Sequence, residues 1–404
     1  MNVKFNLFMM IALFMSFNLF SQGNIVDISQ DIDPEALSAA IAAQTEAATI
    51  IINSEVEYFL DSPKLNYALT IESQGEKGVI KIKSGFDFGE SAPTVENLTF
   101  KNIELLGDNP AEDYVSNWSQ EGTLQEYVFE DCLIHSFRGA VRIKDSEKVV
   151  IEKVVFDNSI AKEIGGYGFF NQDNGNAETF VDEVVIENST IADVERILVS
   201  KNTFGSVKIS DCTFYKTPRY GRSFIDLDDS SAEIAGGVVI ENVILAEPLN
   251  GDPKFGVKGV ANVTVTNSYV TNEFDWNSIS WGTAAESPFI AYEGSSVEMF
   301  RDVNNFDFLI VDEAFAGKDN SGDPRYYFDG TVGIEKNNID ILYYIDGNSL
   351  VLDKTYSLVE VYALQGQKII SENNVDKIEI DNPGLYIVRV IDYNQKKSII
   401  KVVK

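Results

Sequence analysis

The chain has 404 residues, of which 63 are acidic, 32 are basic and one is a histidine, so its formal net charge is −31. The acidic excess falls on residues 22–334, which hold 53 acidic and 22 basic side chains. So negative a surface repels DNA, RNA and anionic membranes, which excludes nucleic acid as a partner. It also repels anionic polysaccharides unless basic residues gather locally or a cation intervenes. Solubility outside the cell explains most of the charge.

The N-terminal segment predicts export. Residues 1–21 place a lysine before an apolar run that ends on a small residue, which is typical of a secretory signal. A membrane anchor is the alternative, but the run contains Asn6, Ser16 and Asn18, and we expect no membrane span in the mature chain. Residues 33–48 then show alanine and leucine periodicity after an acidic first turn, which predicts a short helix that caps the following fold.

A short strand pattern then recurs seven times between residues 95 and 270, reading apolar, any, apolar, polar, and Asn or Asp. The copies end at Asn102, Asp131, Asn158, Asn188, Asp211, Asn242 and Asn267, with spacings of 29, 27, 30, 23, 31 and 25 residues. Alternate positions share a face, which is the period of a strand. A strand-based repeat of this length predicts a right-handed parallel β-helix, a solenoid of stacked coils, over residues 22–330.

The repeated Asn or Asp has a structural explanation. At a sharp corner between two strands, a short amide or carboxyl side chain tolerates the bend and hydrogen-bonds to nearby backbone. Stacked coils also bring these side chains within hydrogen-bonding distance of one another. We therefore interpret all seven as corner residues and not as catalytic residues.

Cysteine and histidine usage narrows the chemistry further. Cys132 and Cys212 each directly follow a corner residue, on coils three apart, so their Cα atoms should lie about 14 Å apart. A disulfide requires less than about 7 Å, so both are expected to be free, buried thiols. His135 is the only histidine, which argues against catalytic triads that use histidine and against His-rich zinc sites.

The C-terminal region changes to short alternating strands with turn signals. After a polar linker at 331–340, residues 341–404 predict a small Ig-like β-sandwich. The segments VEVYALQGQKI (359–369), PGLYIVRV (383–390) and the basic terminal KVVK resemble the C-terminal sorting domain of the type IX secretion system of Bacteroidetes. That resemblance implies the type IX machinery as a partner and a cell-surface or extracellular location. A terminal carbohydrate-binding sandwich is the alternative.

The central region also carries a resemblance. Its helix, Asn-cornered coils and closing AFAG and GDPRYY segments are similar to secreted β-helix proteins of Bacteroidetes with the pectate-lyase-type fold, a group that includes lyases of alginate and chondroitin-type chains. Second strands lie between the ladder strands, and their outward side is the expected functional face. The resemblance places Lys201 on the position of the catalytic base, with Arg222 as a candidate neutraliser of the uronate carboxylate. A solvated surface lysine is the alternative for Lys201.

Candidate binding residues lie on the same face. The outward positions offer Arg142, Lys144, Asn171 and Asp226, and the loop 217–223 adds Arg219 and Tyr220, which suit a sugar carboxylate and a sugar ring. Asp228 and Asp229 are candidate Ca²⁺ ligands because Ca²⁺ prefers carboxylate oxygens. A solvated strand end is the alternative for these aspartates.

The sequence therefore predicts a secreted, monomeric surface protein that binds polysaccharide, in the form of a degenerate polysaccharide lyase. Two alternatives remain open at this point. One is an active lyase that cuts uronate glycans by β-elimination, with Ca²⁺ as the only cofactor considered. The other is a structural or adhesive solenoid with no glycan specificity.

Overall fold

A computed structural model of the protein describes most of the chain. The described residues are 24–89, 91, 93–145, 147–174, 176–200, 204–227, 235–251, 255–258, 262–275, 280–281, 289–328, 343–363, 368–380, 382, 384–391, 393 and 397–403. The chain divides into two compact units, residues 1–328 and residues 329–404.

The first unit contains a ten-stranded parallel sheet, the ladder sheet. Its strands are Asn24–Asp27, Ala48–Ile52, Leu69–Ser73, Thr94–Lys101, Gly122–Glu130, Val149–Asp157, Phe180–Glu187, Phe204–Ser210, Val238–Glu241 and Val263–Thr266. Their order in the sheet is their order in the chain, so each turn of the chain adds one strand. The last seven strands carry the seven repeats. The predicted parallel β-solenoid is confirmed.

A second, fifteen-stranded sheet completes the coils. Its strands are Glu57–Asp61, Gly78–Lys83, Ile103–Gly107, Tyr114–Trp118, Leu133–Asp145, Ile160–Asn174, Thr190–Val194, Leu198–Ser200, Thr213–Tyr215, Ser223–Leu227, Ile244–Ala246, Phe255–Lys258, Tyr269–Val270, Ser280–Trp281 and Ile290–Ala291. The strands Leu133–Asp145 and Ile160–Asn174 continue around a bend. In later coils the bend separates two short strands, such as Thr190–Val194 and Leu198–Ser200. The half beyond the bend, called the front arm, includes residues 139–145, 168–174, 198–200, 223–227 and 255–258.

The corners follow the sequence prediction. All seven predicted corner residues adopt a left-handed backbone, with φ between +45° and +55°. Asn and Asp tolerate this region better than other residues with a β-carbon. Their side chains also bond between coils: the amide of Asn242 donates to Asp211 over 2.9 Å, and the amide of Asn267 donates to Asn242 over 2.8 Å. The corner interpretation is therefore confirmed.

A second left-handed bend separates the two halves of the second sheet. It falls at Ser136, Glu163, Asp193, Lys216 and Glu247, which occupy matching positions on successive coils. These residues are one serine, one lysine and three carboxylates, so no single side-chain type marks the bend in the sequence. At this bend the chain passes from the first half of the second sheet into the front arm.

The interior is apolar and continuous. Phe100, Phe129 and Phe156 lie on successive coils, where the first two rings stack at 5.7 Å and the last two pack edge to face at 6.1 Å. Cys132 and Cys212 are buried and form no disulfide, as the sequence predicts. Burial raises the pKa of the Cys132 thiol to about 12 and holds that of Cys212 well above its usual value.

A helix, Ala36–Ala42, forms within the predicted helical segment, and Leu37 on it is buried in the solenoid core. A second short helix, Ser296–Met299, and strands Phe300–Asp302 and Asp307–Ile310 follow the last coils. A two-stranded parallel pair, Lys64–Leu65 and Asp87–Phe88, lies beside the early coils. The capping role of the first helix stays a prediction.

The segment 317–328 runs back along the corners of the ladder sheet. Asp323 accepts a hydrogen bond from the Thr190 hydroxyl over 2.6 Å, and its backbone N–H donates to the Thr213 hydroxyl over 2.9 Å. Arg325 binds Asp323 through Nε over 3.0 Å and donates to the backbone carbonyl of Ser159 over 2.8 Å. Asp323 is fully buried, and its ion pair with Arg325 attaches this late segment to three successive coils that lie 110 residues or more earlier in the chain.

The second unit consists of two antiparallel sheets. Strands Tyr343–Asp346, Ser349–Tyr356 and Val375–Glu379 form one sheet, and strands Lys368–Glu372, Leu358–Ala363, Leu385–Ile391 and Lys397–Val403 form the other. Buried side chains from both sheets form one apolar cluster, which includes Leu350, Ile378, Val361 and Val388. The Ig-like assignment and the sorting role stay predictions.

Replacing Asn242 separates backbone strain from side-chain bonding at a corner. We expect Asn242→Ala to lower the free energy of unfolding by about 2 kcal/mol, because alanine loses the ladder bonds and is forced into the left-handed region. Asn242→Gly loses the same bonds but relieves the strain, so its loss should be smaller. Urea denaturation followed by circular dichroism measures both, and equal losses would contradict the strain argument.

The buried ion pair at 323–325 supports a second prediction. Asp323→Ala should lower the free energy of unfolding by about 3 kcal/mol, because it leaves the Arg325 charge without its partner. The double variant Asp323→Ala/Arg325→Met should recover part of that loss, since no unpaired charge remains. A double variant that is less stable than Asp323→Ala in thermal denaturation would show that the pairing account is wrong.

The buried thiols predict a simple labelling result. The folded protein at pH 8 should react with almost no Ellman's reagent, because both thiols are inaccessible and protonated. Complete unfolding in guanidinium should release two thiols per chain without a reductant. Rapid reaction of the folded protein, or fewer than two thiols after unfolding, would contradict the placement of the cysteines.

Candidate functional site

The front arm presents a regular outward column of side chains. Its pairing register aligns Arg142 with Asn171, Asn171 with Val199, Val199 with Asp226, and Asp226 with Lys258. Successive members lie on adjacent coils, about 4.8 Å apart. Residues on either side of this column point into the core, since Val141 and Ile143 are fully buried. The column forms the floor of a surface cleft.

The cleft has a volume of about 530 Å³ and lies across four coils. Its lining residues are Arg138, Gly166, Tyr167, Asn171, Gln172, Arg196, Val199, Ser200, Arg222 and Asp226. Three arginines therefore converge on one opening of a protein that is strongly acidic as a whole. Concave sites with a few convergent polar groups are the usual places for ligand binding.

Two arginines lie over one tyrosine ring at one end of the cleft. The guanidinium carbon of Arg138 is 4.3 Å from the ring centroid of Tyr167, and that of Arg142 is 4.5 Å from the same centroid. Tyr114 packs edge-on against Tyr167 at 5.7 Å. These cation–π contacts hold Arg138 and Arg142, the first arginine pair, in fixed positions.

Arg196 and Arg222, the second arginine pair, lie on the opposite side. Burial lowers the pKa of Arg196, and the nearby charge of Arg222 lowers it further. The Nε atom of Arg196 is buried without a hydrogen-bond partner. Among the described residues, Arg138, Arg196 and Arg222 form no ion pair. Cations held together without counter-ions favour an anionic ligand.

The acidic neighbours of the cleft already have cationic partners. Asp226 forms an ion pair with Lys258 over 3.0 Å, and Glu195 forms one with Arg219 over 2.8 Å. Each carboxylate is balanced by its own cationic partner, so the two pairs do not offset the charges of the three cleft arginines. The local charge inside the cleft is therefore positive.

Glycines leave room for the cleft at the bend that enters the front arm. Gly168 has φ of +77°, and a β-carbon there would lie 2.5 Å from the carbonyl oxygen of Arg196. A β-carbon on Gly139 would lie 2.9 Å from the β-carbon of Tyr167. Larger residues would clash at both positions, so these glycines allow the tyrosine and arginine coils to stack closely.

Beneath the cleft, buried polar side chains bond to one another. The Ser200 hydroxyl donates to the Gln172 side-chain oxygen over 2.7 Å, and the Gln172 amide donates to the backbone carbonyl of Thr179 over 3.2 Å. Asn171, only 6% exposed, forms no side-chain hydrogen bond with any described residue. Its amide therefore has both donor and acceptor capacity for a ligand.

The structure brings together part of the predicted site. Arg222, Asn171 and Asp226 line the cleft, and Arg142 stacks on Tyr167 at its end. Lys144 occupies the next outward position on the strand of Arg142. The predicted base Lys201 and the predicted Ca²⁺ ligands Asp228 and Asp229 lie outside the described residues.

The two candidate residues of the loop 217–223 differ in their contacts. Arg219 is held by Glu195, whereas the Tyr220 side chain is 68% exposed on the loop beside the cleft. Tyr220 therefore remains available for stacking on a sugar, while Arg219 has an internal role.

Sequence reasoning missed several cleft residues. Arg138 and Arg196 lie just before front-arm strands, in bends whose sequence does not repeat, so no periodic signal marks them. Gln172 and Ser200 occupy core positions of the strand pattern, where a polar side chain is unusual. That departure is a signal that could have located the cleft floor. Tyr167 lines the cleft, whereas the neighbouring Phe169 and Phe170 are fully buried.

Two other cavities do not gather arginine side chains as the front-arm cleft does. One, of about 280 Å³, lies between the first helix and the early coils and is lined largely by apolar residues such as Ile41, Leu60 and Leu69. The other, of about 710 Å³, is a shallow surface lined by Tyr292, Phe315 and several carboxylates. Neither gathers arginines, so the front-arm cleft is the better candidate.

Comparison with known proteins gives no family: no family model matches the chain, and no curated protein matches it significantly. Within the described part of the chain, no helix has the length and apolar character needed to cross a membrane. The same residues contain no cluster of three or more His, Cys, Asp or Glu side chains suited to a metal ion.

Proposed function

We propose that this protein binds an acidic polysaccharide in the front-arm cleft. The observation that carries the proposal is the convergence of Arg138, Arg196 and Arg222 without ion-pair partners among the described residues, in a chain of net charge −31. Arginines form strong, directional hydrogen bonds with carboxylate and sulfate groups. A long open cleft on a solenoid face suits a polymer better than a small molecule.

The acidic background improves selectivity. Away from the cleft, the negative surface repels polyanions, so productive contact is limited to the region where the arginines concentrate the positive potential. Exposed Tyr220 supplies an aromatic surface beside this region for the apolar face of a sugar ring. Local attraction within general repulsion favours one binding position over nonspecific adsorption.

The contacts of the described cleft residues favour binding of the polysaccharide over its cleavage. An elimination reaction requires a proton acceptor beside the sugar. The cleft carboxylate Asp226 is paired with Lys258, and the Tyr167 ring is covered by the first arginine pair. The lyase alternative depends on Lys201, with the second arginine pair able to neutralise a uronate carboxylate.

We also propose export to the cell surface, based on the signal pattern at 1–21 and the sorting-domain resemblance at 341–404. Export places the cleft where extracellular polysaccharides occur. It is also consistent with the high net charge, which keeps the protein soluble outside the cell.

Affinity electrophoresis in gels containing polygalacturonate or chondroitin sulfate tests the binding proposal. The protein should be retarded in at least one acidic gel and not in a neutral glucan gel. Arg196→Gln and Arg222→Gln should each weaken binding at least tenfold, because a charge-assisted hydrogen bond contributes roughly 1.5–3 kcal/mol.

Arg301→Gln is the matched control, because Arg301 lies outside the cleft and pairs with Asp307. Equal weakening by Arg301→Gln, or no retardation in any acidic gel, would refute the proposal. Release of an unsaturated product that absorbs ultraviolet light, lost in Lys201→Ala, would instead establish the lyase alternative.

A further inference from the structure

The two arginine pairs are separated by a coil that supplies no charged residue to the lining of the cleft. The first pair lies on the coil of strand Leu133–Asp145, and the second pair lies on the second and third coils beyond it. The coil between them, called the middle coil, contains strand Ile160–Asn174. Because coils repeat at about 4.8 Å, the backbones of the first pair and of Arg196 are about 10 Å apart along the solenoid axis. This distance is close to the length of two sugars in an extended chain.

The middle coil offers neutral contacts. It supplies Gly166, Tyr167, Asn171 and Gln172 to the cleft. A β-carbon on Gly166 would meet no other atom closer than 3.6 Å, so space is open above it. Asn171 is almost fully buried and its amide has no partner among the described residues. A buried amide facing an open space is suited to a sugar hydroxyl or an acetamido group.

The middle coil also disfavours an anion. The atom nearest to a β-carbon on Gly166 is Oε2 of Glu195, at 3.6 Å. The other oxygen of that carboxylate, Oε1, accepts a hydrogen bond from Arg219 over 2.8 Å. The ion pair thereby fixes the carboxylate beside the middle coil. A ligand carboxylate placed above Gly166 would be repelled by it, and such repulsion is a recognised source of specificity.

We propose that the cleft selects a polysaccharide whose anionic group recurs on every second sugar. The anionic sugars would contact the two arginine pairs, and the neutral sugar between them would contact Asn171 beside Glu195. A homopolymer of uronate carries a carboxylate on every sugar, so its middle residue would face Glu195. This inference rests on the proposed binding function and specifies the charge pattern of its ligand.

Isothermal titration calorimetry with defined octasaccharides tests the inference on the full chain. The alternating probe is a hyaluronan octasaccharide, in which uronate and N-acetylglucosamine alternate. The homopolymer probe is an octagalacturonate, and the neutral probe is a chitin oligosaccharide. We expect the alternating probe to bind at least tenfold more tightly than the homopolymer, and the neutral probe to bind weakest.

Two variants test which residues cause the preference for the alternating probe over the homopolymer. Glu195→Gln removes the repulsive charge, so it should tighten homopolymer binding severalfold and leave alternating binding nearly unchanged. Asn171→Ala should weaken the alternating probe more than the homopolymer, because it removes the contact with the neutral sugar. Arg301→Gln, remote from the cleft, should change neither affinity.

The outcomes separate the two proposals. Homopolymer binding equal to or tighter than alternating binding, with loss of both in Arg222→Gln, would overturn the alternation and leave the binding function standing. An alternating preference that persists unchanged in both Glu195→Gln and Asn171→Ala would also overturn it. No binding of either acidic probe would refute the binding function for these two ligand types and the alternation with it.

Discussion

The fold depends on a left-handed backbone corner that recurs in seven successive coils. This conformation is unfavourable for most residues with a β-carbon, and Asn and Asp tolerate it best. Because the corner ends each of the last seven ladder strands at the same place, these coils stay in register whatever the length of the loops between them. Side-chain hydrogen bonds, such as the one that the Asn242 amide donates to Asp211, then link one coil to the next. Register in turn lines up the outward residues of the front arm.

Charge is distributed around that frame in a consistent way. Carboxylates close to the cleft are bound by cations outside it, as in the Asp226–Lys258 and Glu195–Arg219 pairs. The arginines inside the cleft are held instead by aromatic contacts and by burial, as Arg138 over Tyr167 shows. A strongly acidic protein can therefore maintain a positive cleft, and the same carboxylates can influence which ligand charges are accepted there.

The sequence predicts the ladder sheet and its corners but not the second bend or all the cleft residues, and the reasons are physical. The ladder strands, their corners and the buried thiols follow from a local pattern that every coil repeats. The second bend does not, because Ser136, Glu163 and Lys216 share a backbone conformation but no side-chain chemistry. Arg138 and Arg196 lie near such bends, and their convergence depends on loop lengths that vary between coils. Arg222 and Asn171 were predicted because they lie on or beside regular strands.

A crystal structure of the full chain with a bound acidic oligosaccharide tests the central claim most directly. The account predicts density for the sugar along the front arm, with anionic groups at both arginine pairs and a neutral sugar above Gly166. An oligosaccharide bound instead at the ladder sheet, at the 710 Å³ surface or on the second unit would contradict it.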